Sequence, residues 1–142
     1  MESERPDALF RDPYARRLAG AQGETIVRTL TKGSQFDWPM IVRTAVMDEI
    51  IVRLVGEGVE TVLNLAAGLD TRPYRLPLPP TLRWIEADLP DILAYKEAEL
   101  ATERPVCQLE RVTVDLTDEG ARRALLDRVR RSATNALVVA EG

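Results

Sequence analysis

The chain has 142 residues and 45% apolar content, enough for one domain or part of one around an ordinary core, and too apolar for a disordered chain. Nineteen basic against twenty-three acidic residues leave a net charge of -4, which gives no broad electrostatic footprint for nucleic acid or an anionic membrane surface and favours small-molecule chemistry. With no histidine and the single Cys107, an intrachain disulfide, a Ser-His-Asp triad, a His general base and His-ligated zinc or haem are excluded within this chain.

The start, MESERPD, is charged where a secretory signal is apolar, and no apolar run approaches the ~20 residues of a membrane span. A soluble cytoplasmic chain is expected. Residues 7–19 place Leu9, Phe10, Tyr14 and Leu18 at helical spacing, with Pro13 dividing them into two short helical pieces. Thr25 to Leu30 reads as a short helix and Thr31 to Gln35 as a loop. Asp37 is the expected N-cap of a long helix from about Trp38 to Val55, stopped by Gly56 and Gly58. Composition then changes, which divides the chain into a helical cap, 1–56, and an α/β segment, 57–142.

That second segment repeats strand, turn and helix. Glu60 to Leu65 is the first strand, running into Ala66, Ala67 and Gly68, and a short helix from Thr71 to Leu76 follows Asp70. Leu82 to Asp88 is the second strand, with a helix from Pro90 to about Glu103. Leu109 to Leu116 is the third strand, Asp118 to about Arg131 a helix, and Ala136 to Ala140 the fourth strand. Such alternation predicts a parallel sheet with right-handed crossovers.

Ligands of open parallel sheets settle at the carboxyl ends of the strands. Every strand here ends in or beside a carboxylate: Asp70, then Glu86 and Asp88, then Asp115, then Glu141. That arrangement repels phosphate and favours hydroxyls, an amino group and a positive charge. Asp88 lies twenty residues beyond Gly68, the spacing of an acid that accepts from ribose hydroxyls. Asp115 with the Leu116 backbone N–H offers an acceptor and a donor to an adenine edge. Each carboxylate taken alone serves equally as a helix cap.

Arg43 sits on an apolar stretch of the long helix without a carboxylate one turn away, so it either binds a ligand carboxylate, snorkels to water or pairs with a distant Asp. Glu49 is the expected partner of Arg53, and Arg72 and Arg75 near the first turn either face the ligand or, as the preferred reading, solvate a short exposed helix. The arginines from Arg122 to Arg131 read as a solvated helix face, and Cys107 as an unreactive thiol. No P-loop, nucleophile elbow or EF-hand is present.

Six segments, ALFRDPYARRLAG, VRTAVMDEII, LNLAAGLDTRPYRL, WIEADLPDILAYKEAEL, VTVDL and VVAEG, span nearly the whole chain in order. In them the sequence resembles the leucine carboxyl methyltransferase family, and more closely its bacterial branch of S-adenosylmethionine-dependent O-methyltransferases. The resemblance implies a Rossmann-like class I methyltransferase fold with strand order 3-2-1-4, and S-adenosyl-L-methionine as cofactor. It implies that Arg43 holds the methionine carboxylate and that Ala66 and Gly68 pass under the cofactor. Asp88 would bind ribose, Asp115 and Leu116 would contact adenine, and Glu141 would lie near the methionine amino group. Where the family has glycine, this chain has Ala66.

Relatives continue beyond VVAEG, so the chain is expected to be the N-terminal half of such an enzyme, with its fourth strand open to dimerisation or to a C-terminal partner. The expected reaction is methyl transfer to a carboxylate or hydroxyl of a small molecule, with no metal and no assigned catalytic residue. A cofactor-binding module without turnover is the alternative. A nicotinamide dinucleotide domain fits less well, because AAGLDT lacks the G-x-G-x-x-G glycines.

Overall fold

The computed structural model describes residues 2–21 and 37–141. The helix expected at 25–30, the loop at 31–35 and the capping role of Asp37 lie outside the described residues. A 3-10 turn, Glu2–Glu4, opens the chain, and residues 15–21 are helical (α1). There follow α2 (Asp37–Gly56), β1 (Thr61–Leu65), α3 (Arg72–Arg75), β2 (Arg83–Asp88), α4 (Pro90–Glu99), β3 (Gln108–Thr113), α5 (Glu119–Ser132) and β4 (Ala136–Ala140).

The four strands form one sheet in the order β3-β2-β1-β4, parallel throughout, with Leu63 opposite Ile85 on one side and Val138 on the other. The parallel α/β sheet is the one expected from the alternating pattern, and its Rossmann-like strand order is the one the family resemblance implies. Both faces are covered at β1 and β2, as parallel strands require, whereas the edge strand β4 leaves Val138 half exposed. On one face Ile51 of α2 packs with Val62, Trp84 and Val139 and with Leu76, Leu78, Leu82 and Cys107. On the other, Leu125 and Val129 of α5 pack with Leu63, Ile85 and Ala87. Each fully buried aliphatic side chain contributes about 1.5–3 kcal/mol, so the sheet is anchored from both sides. Burial pushes the Cys107 thiol up to about 11, which keeps it protonated and unreactive.

Three local readings differ from expectation, and α4 ends at Glu99, short of the expected Glu103. Residues 7–12 are not helical. Instead Asp12 Oδ1 accepts from the Tyr14 and Ala15 backbone N–H groups, so Pro13 marks the start of a helix and does not divide one. The third strand stops at Thr113 because the chain turns at Asp115, whose carboxylate accepts from the Thr117 N–H and hydroxyl, an Asx-type turn that competes with strand pairing. Arg53 approaches Glu57, at 3.9 Å, and not Glu49.

Candidate functional site at the carboxyl ends of the strands

After β1 the chain must turn sharply over the sheet. It does so with two residues in the left-handed region, Ala66 at φ 52° and Gly68 at φ 48°. Glycine adopts that conformation freely, whereas alanine pays for its Cβ with about 1 kcal/mol or more. Replacing Ala66 with Gly is therefore expected to stabilise the fold by about 0.5–1 kcal/mol net of unfolded-state entropy, read as a rise of about 2–5 °C in thermal melting. A lower melting temperature would show that the alanine methyl has packing that outweighs its strain.

Beneath this turn, Asp88 at the end of β2 accepts from the Gly68 N–H at 2.7 Å through one oxygen and from the Leu89 N–H at 2.7 Å through the other. Each carboxylate oxygen keeps a lone pair for a further donor. The Val114 N–H donates to the Asp88 carbonyl at 2.9 Å, which brings Asp115 and Leu116 alongside the end of β2. Asp115 is exposed, and bonds from the Thr117 hydroxyl and then the Thr117 N–H hold its carboxyl below the usual range. Leu116 is half-buried against the α5 core, and its carbonyl accepts from Arg122 at 2.6 Å.

Across β1 lies a cavity of about 450 Å³ whose walls include Arg43, Ala66 and Glu141. Phe10 and Ala15 from the N-terminal segment and Met40 and Thr44 from α2 close its other side. Arg43 is exposed, and its Nη1 donates to the Glu141 carbonyl at 3.3 Å. The structure thus brings Arg43, Ala66 and Glu141 into one cavity. Gly68 and Asp88 meet at the turn beside it, and Asp115 and Leu116 lie further along the strand ends.

Two readings of the sequence need correcting. Arg72 and Arg75 do not solvate a surface helix: their side chains are 3% and 7% exposed. Arg72 Nε donates to Asp48 at 2.7 Å, Nη1 to Asp70 at 2.9 Å, and Nη1 and Nη2 to the two oxygens of Glu141 at 3.0 and 2.9 Å. Burial alone would lower the Arg72 pKa, but Asp70, Glu141 and Asp48 raise it overall. Arg75 grips both oxygens of Asp48 and lies over the Phe10 ring, while Thr71 donates to Asp12 at 2.6 Å. Asp48 on the buried stripe of α2, beside Met47 and Ile51, was the signal for this network.

Glu86 is the second correction. It does not face the strand-end site. Fully buried, it accepts from Lys96 Nζ at 2.6 Å and from Arg111 Nε at 3.1 Å, and Arg111 also donates to the Tyr74 hydroxyl at 2.8 Å. Desolvation pushes the Glu86 carboxyl up, with Lys96 and Arg111 opposing it.

The family model for leucine carboxyl methyltransferase matches residues 1–142. A protein of Mycobacteroides abscessus named as a candidate S-adenosyl-L-methionine-dependent methyltransferase is 37% identical over 129 residues, 84% of this chain and 42% of that protein. A protein of Parafrankia with the same kind of name is 38% identical over 151 residues, 99% of this chain and 48% of its own. One of Streptomyces coelicolor is 36% identical over 124 residues, 80% and 43% respectively. The chain spans about half the length of the curated relatives it matches. With its whole length matched by the family model and its strands in the order 3-2-1-4, the chain belongs to the leucine carboxyl methyltransferase family.

Proposed function

We propose that the strand ends bind S-adenosyl-L-methionine, the cofactor in the names of the related proteins, for transfer of its methyl group to a carboxylate or hydroxyl oxygen of a small molecule. The observation that carries this reading is the shared cavity of Arg43, Ala66 and Glu141 beside a left-handed turn locked to Asp88. A guanidinium suits the carboxylate of an amino-acid tail, and a glutamate suits its ammonium. Asp88 retains acceptor capacity for two ribose hydroxyls, and Asp115 with Leu116 is set for an adenine edge.

Charge supports the same ligand. Among the described residues that line the cavity or bond to its arginines, the carboxylates Asp12, Asp48, Asp70 and Glu141 face three guanidiniums, Arg43, Arg72 and Arg75. One negative charge is left over, and S-adenosylmethionine carries one net positive charge. The arrangement disfavours a dinucleotide. Helix α3 has only four residues, too few for a useful dipole, and the Arg72 N–H at its start already donates to Asp70.

When bound, S-adenosylmethionine supplies a methyl group already activated on a sulfonium. The residues of this chain then hold, orient and exclude water, which is catalysis by positioning. Arg43, Glu141 and Asp88 would hold the cofactor, and the acceptor oxygen would take the methyl group from sulfur, which would keep the electron pair. The carboxylates grip the cofactor at its edges, consistent with the loss of positive charge at sulfur in the transition state. A carboxylate acceptor needs little base assistance, whereas a hydroxyl acceptor needs a base.

Calorimetric titration with S-adenosylhomocysteine, S-adenosylmethionine and NAD tests the binding step. One-to-one binding of the two sulfur nucleosides without NAD is expected. Binding of NAD alone would overturn the assignment. Release of labelled methyl to a panel of carboxylic acids and phenols then reads the acceptor class.

A further inference from the structure

Arg72 makes four charge-assisted hydrogen bonds to carboxylates on three separate parts of the fold: Asp48 in α2, Asp70 after β1 and Glu141 after β4. The three acids are not equivalent. Asp48 accepts from both Arg72 and Arg75, and Asp70 accepts from the Arg72 N–H, Arg72 Nη1 and Asn64 Nδ2. Their side chains are 10% and 12% exposed. Glu141 is 26% exposed and takes one bond from Arg72 on each oxygen, so each oxygen keeps a lone pair toward the cavity.

Asp48 lies five residues after Arg43 on the same helix. The planar fork of Arg72 therefore ties the helix that carries Arg43 to the residue that follows β4, and a rigid fork fixes distance and angle as an ammonium cannot. From this geometry we infer that Arg72 is a positioning residue: through Asp48 and Glu141 it sets the spacing between the Arg43 guanidinium and the Glu141 carboxylate, so that the cavity selects ligands bearing an α-amino-acid zwitterion. The inference rests on the cofactor reading above and assigns to Arg72 the discrimination between nucleosides with and without such a tail.

Two thioether nucleosides separate tail recognition from the rest. S-adenosylhomocysteine carries the amino-acid tail, and 5′-methylthioadenosine shares its adenosine and thioether without one. Their dissociation constants are measured by calorimetry for the wild-type chain, Arg72→Lys, Asp48→Asn and, as a control for general destabilisation, Val129→Ala under α5. The wild type is expected to prefer the tailed ligand by at least about a hundredfold. In Arg72→Lys and Asp48→Asn that preference falls by about tenfold or more, through S-adenosylhomocysteine alone, while the affinity for 5′-methylthioadenosine stays within about twofold. Val129→Ala keeps the wild-type ratio.

A merely structural role for Arg72 weakens both ligands together, and a ratio unchanged in both network variants overturns the inference. Should Arg72→Lys fail to fold, Asp48→Asn, a near isostere that removes the charge and one of the two acceptor oxygens, decides the matter. Failure of the wild type to bind either nucleoside refutes the cofactor reading itself, a result distinct from binding with an unaltered ratio.

Discussion

Replacing Lys96 with Met is expected to lower the unfolding free energy by about 3–5 kcal/mol at pH 7, because it leaves a buried carboxylate without its closest countercharge. Lys96 and Glu86 are both fully buried and meet at 2.6 Å. Desolvation already raises the Glu86 pKa, and Lys96 is the largest influence that pulls it back. Without Lys96 it rises further. A raised folded-state pKa means that the folded protein binds the proton more tightly than the unfolded chain does. The associated stability is complete below the unfolded value near 4.5 and is lost as pH rises through the folded value.

The deficit of Lys96→Met relative to wild type should therefore narrow when urea unfolding is repeated at pH 5. Adding Glu86→Gln should recover part of it at pH 7, because the buried carboxylate that Lys96 balanced is then gone while Arg111 keeps an amide oxygen to donate to. A deficit below about 1 kcal/mol, or one indifferent to pH, contradicts a buried and desolvated pair.

The second large effect concerns binding. Asp88→Ala removes the acceptor for the Gly68 and Leu89 N–H groups together with the proposed ribose contacts. Hydrogen bonds to a charged group contribute about 1.5–3 kcal/mol each. A loss of about 2–4 kcal/mol, or about 30- to 1,000-fold in S-adenosylhomocysteine affinity, is expected. Asp88→Asn should lose less, since the amide oxygen can still accept from one of the two N–H groups. Equal affinity in wild type and Asp88→Ala would remove ribose from the contacts of this strand end.

What was legible in the sequence follows the range of the interactions involved. Strand β4 was read with its observed limits because ALVVA is a short apolar run with two valines between an Asn and a carboxylate. Helix α2 was read to within a residue at each end, since its apolar period is long and its stop is a glycine. The end of β3 was overrun because Val114 continues the apolar pattern while the turn is made by Asp115 and Thr117, a local polar contact that competes with the strand.

The arginine network was missed for a different reason. Arg72 finds Asp48 across 24 residues and Glu141 across 69, distances at which neither helical nor strand periodicity carries information. The traces were there nonetheless. Asp48 occupies a buried position of an apolar helix, and Lys96 falls on the buried face of α4 between Leu93 and Leu100, the residue just past the helix end. A charge on a buried stripe requires a partner, and in both places the partner lies on a neighbouring element. Which residues fall at the carboxyl ends of the strands was legible because the alternation of strands and helices fixes a parallel topology before any side chain is placed.

The most direct test is a crystal structure of the chain with S-adenosylhomocysteine. The account predicts the ribose hydroxyls on Asp88, the adenine beside Asp115 and Leu116, and the amino-acid tail between Arg43 and the Arg72-held Glu141. A nucleoside bound elsewhere, or a tail that leaves Arg43 and Glu141 untouched, would contradict it.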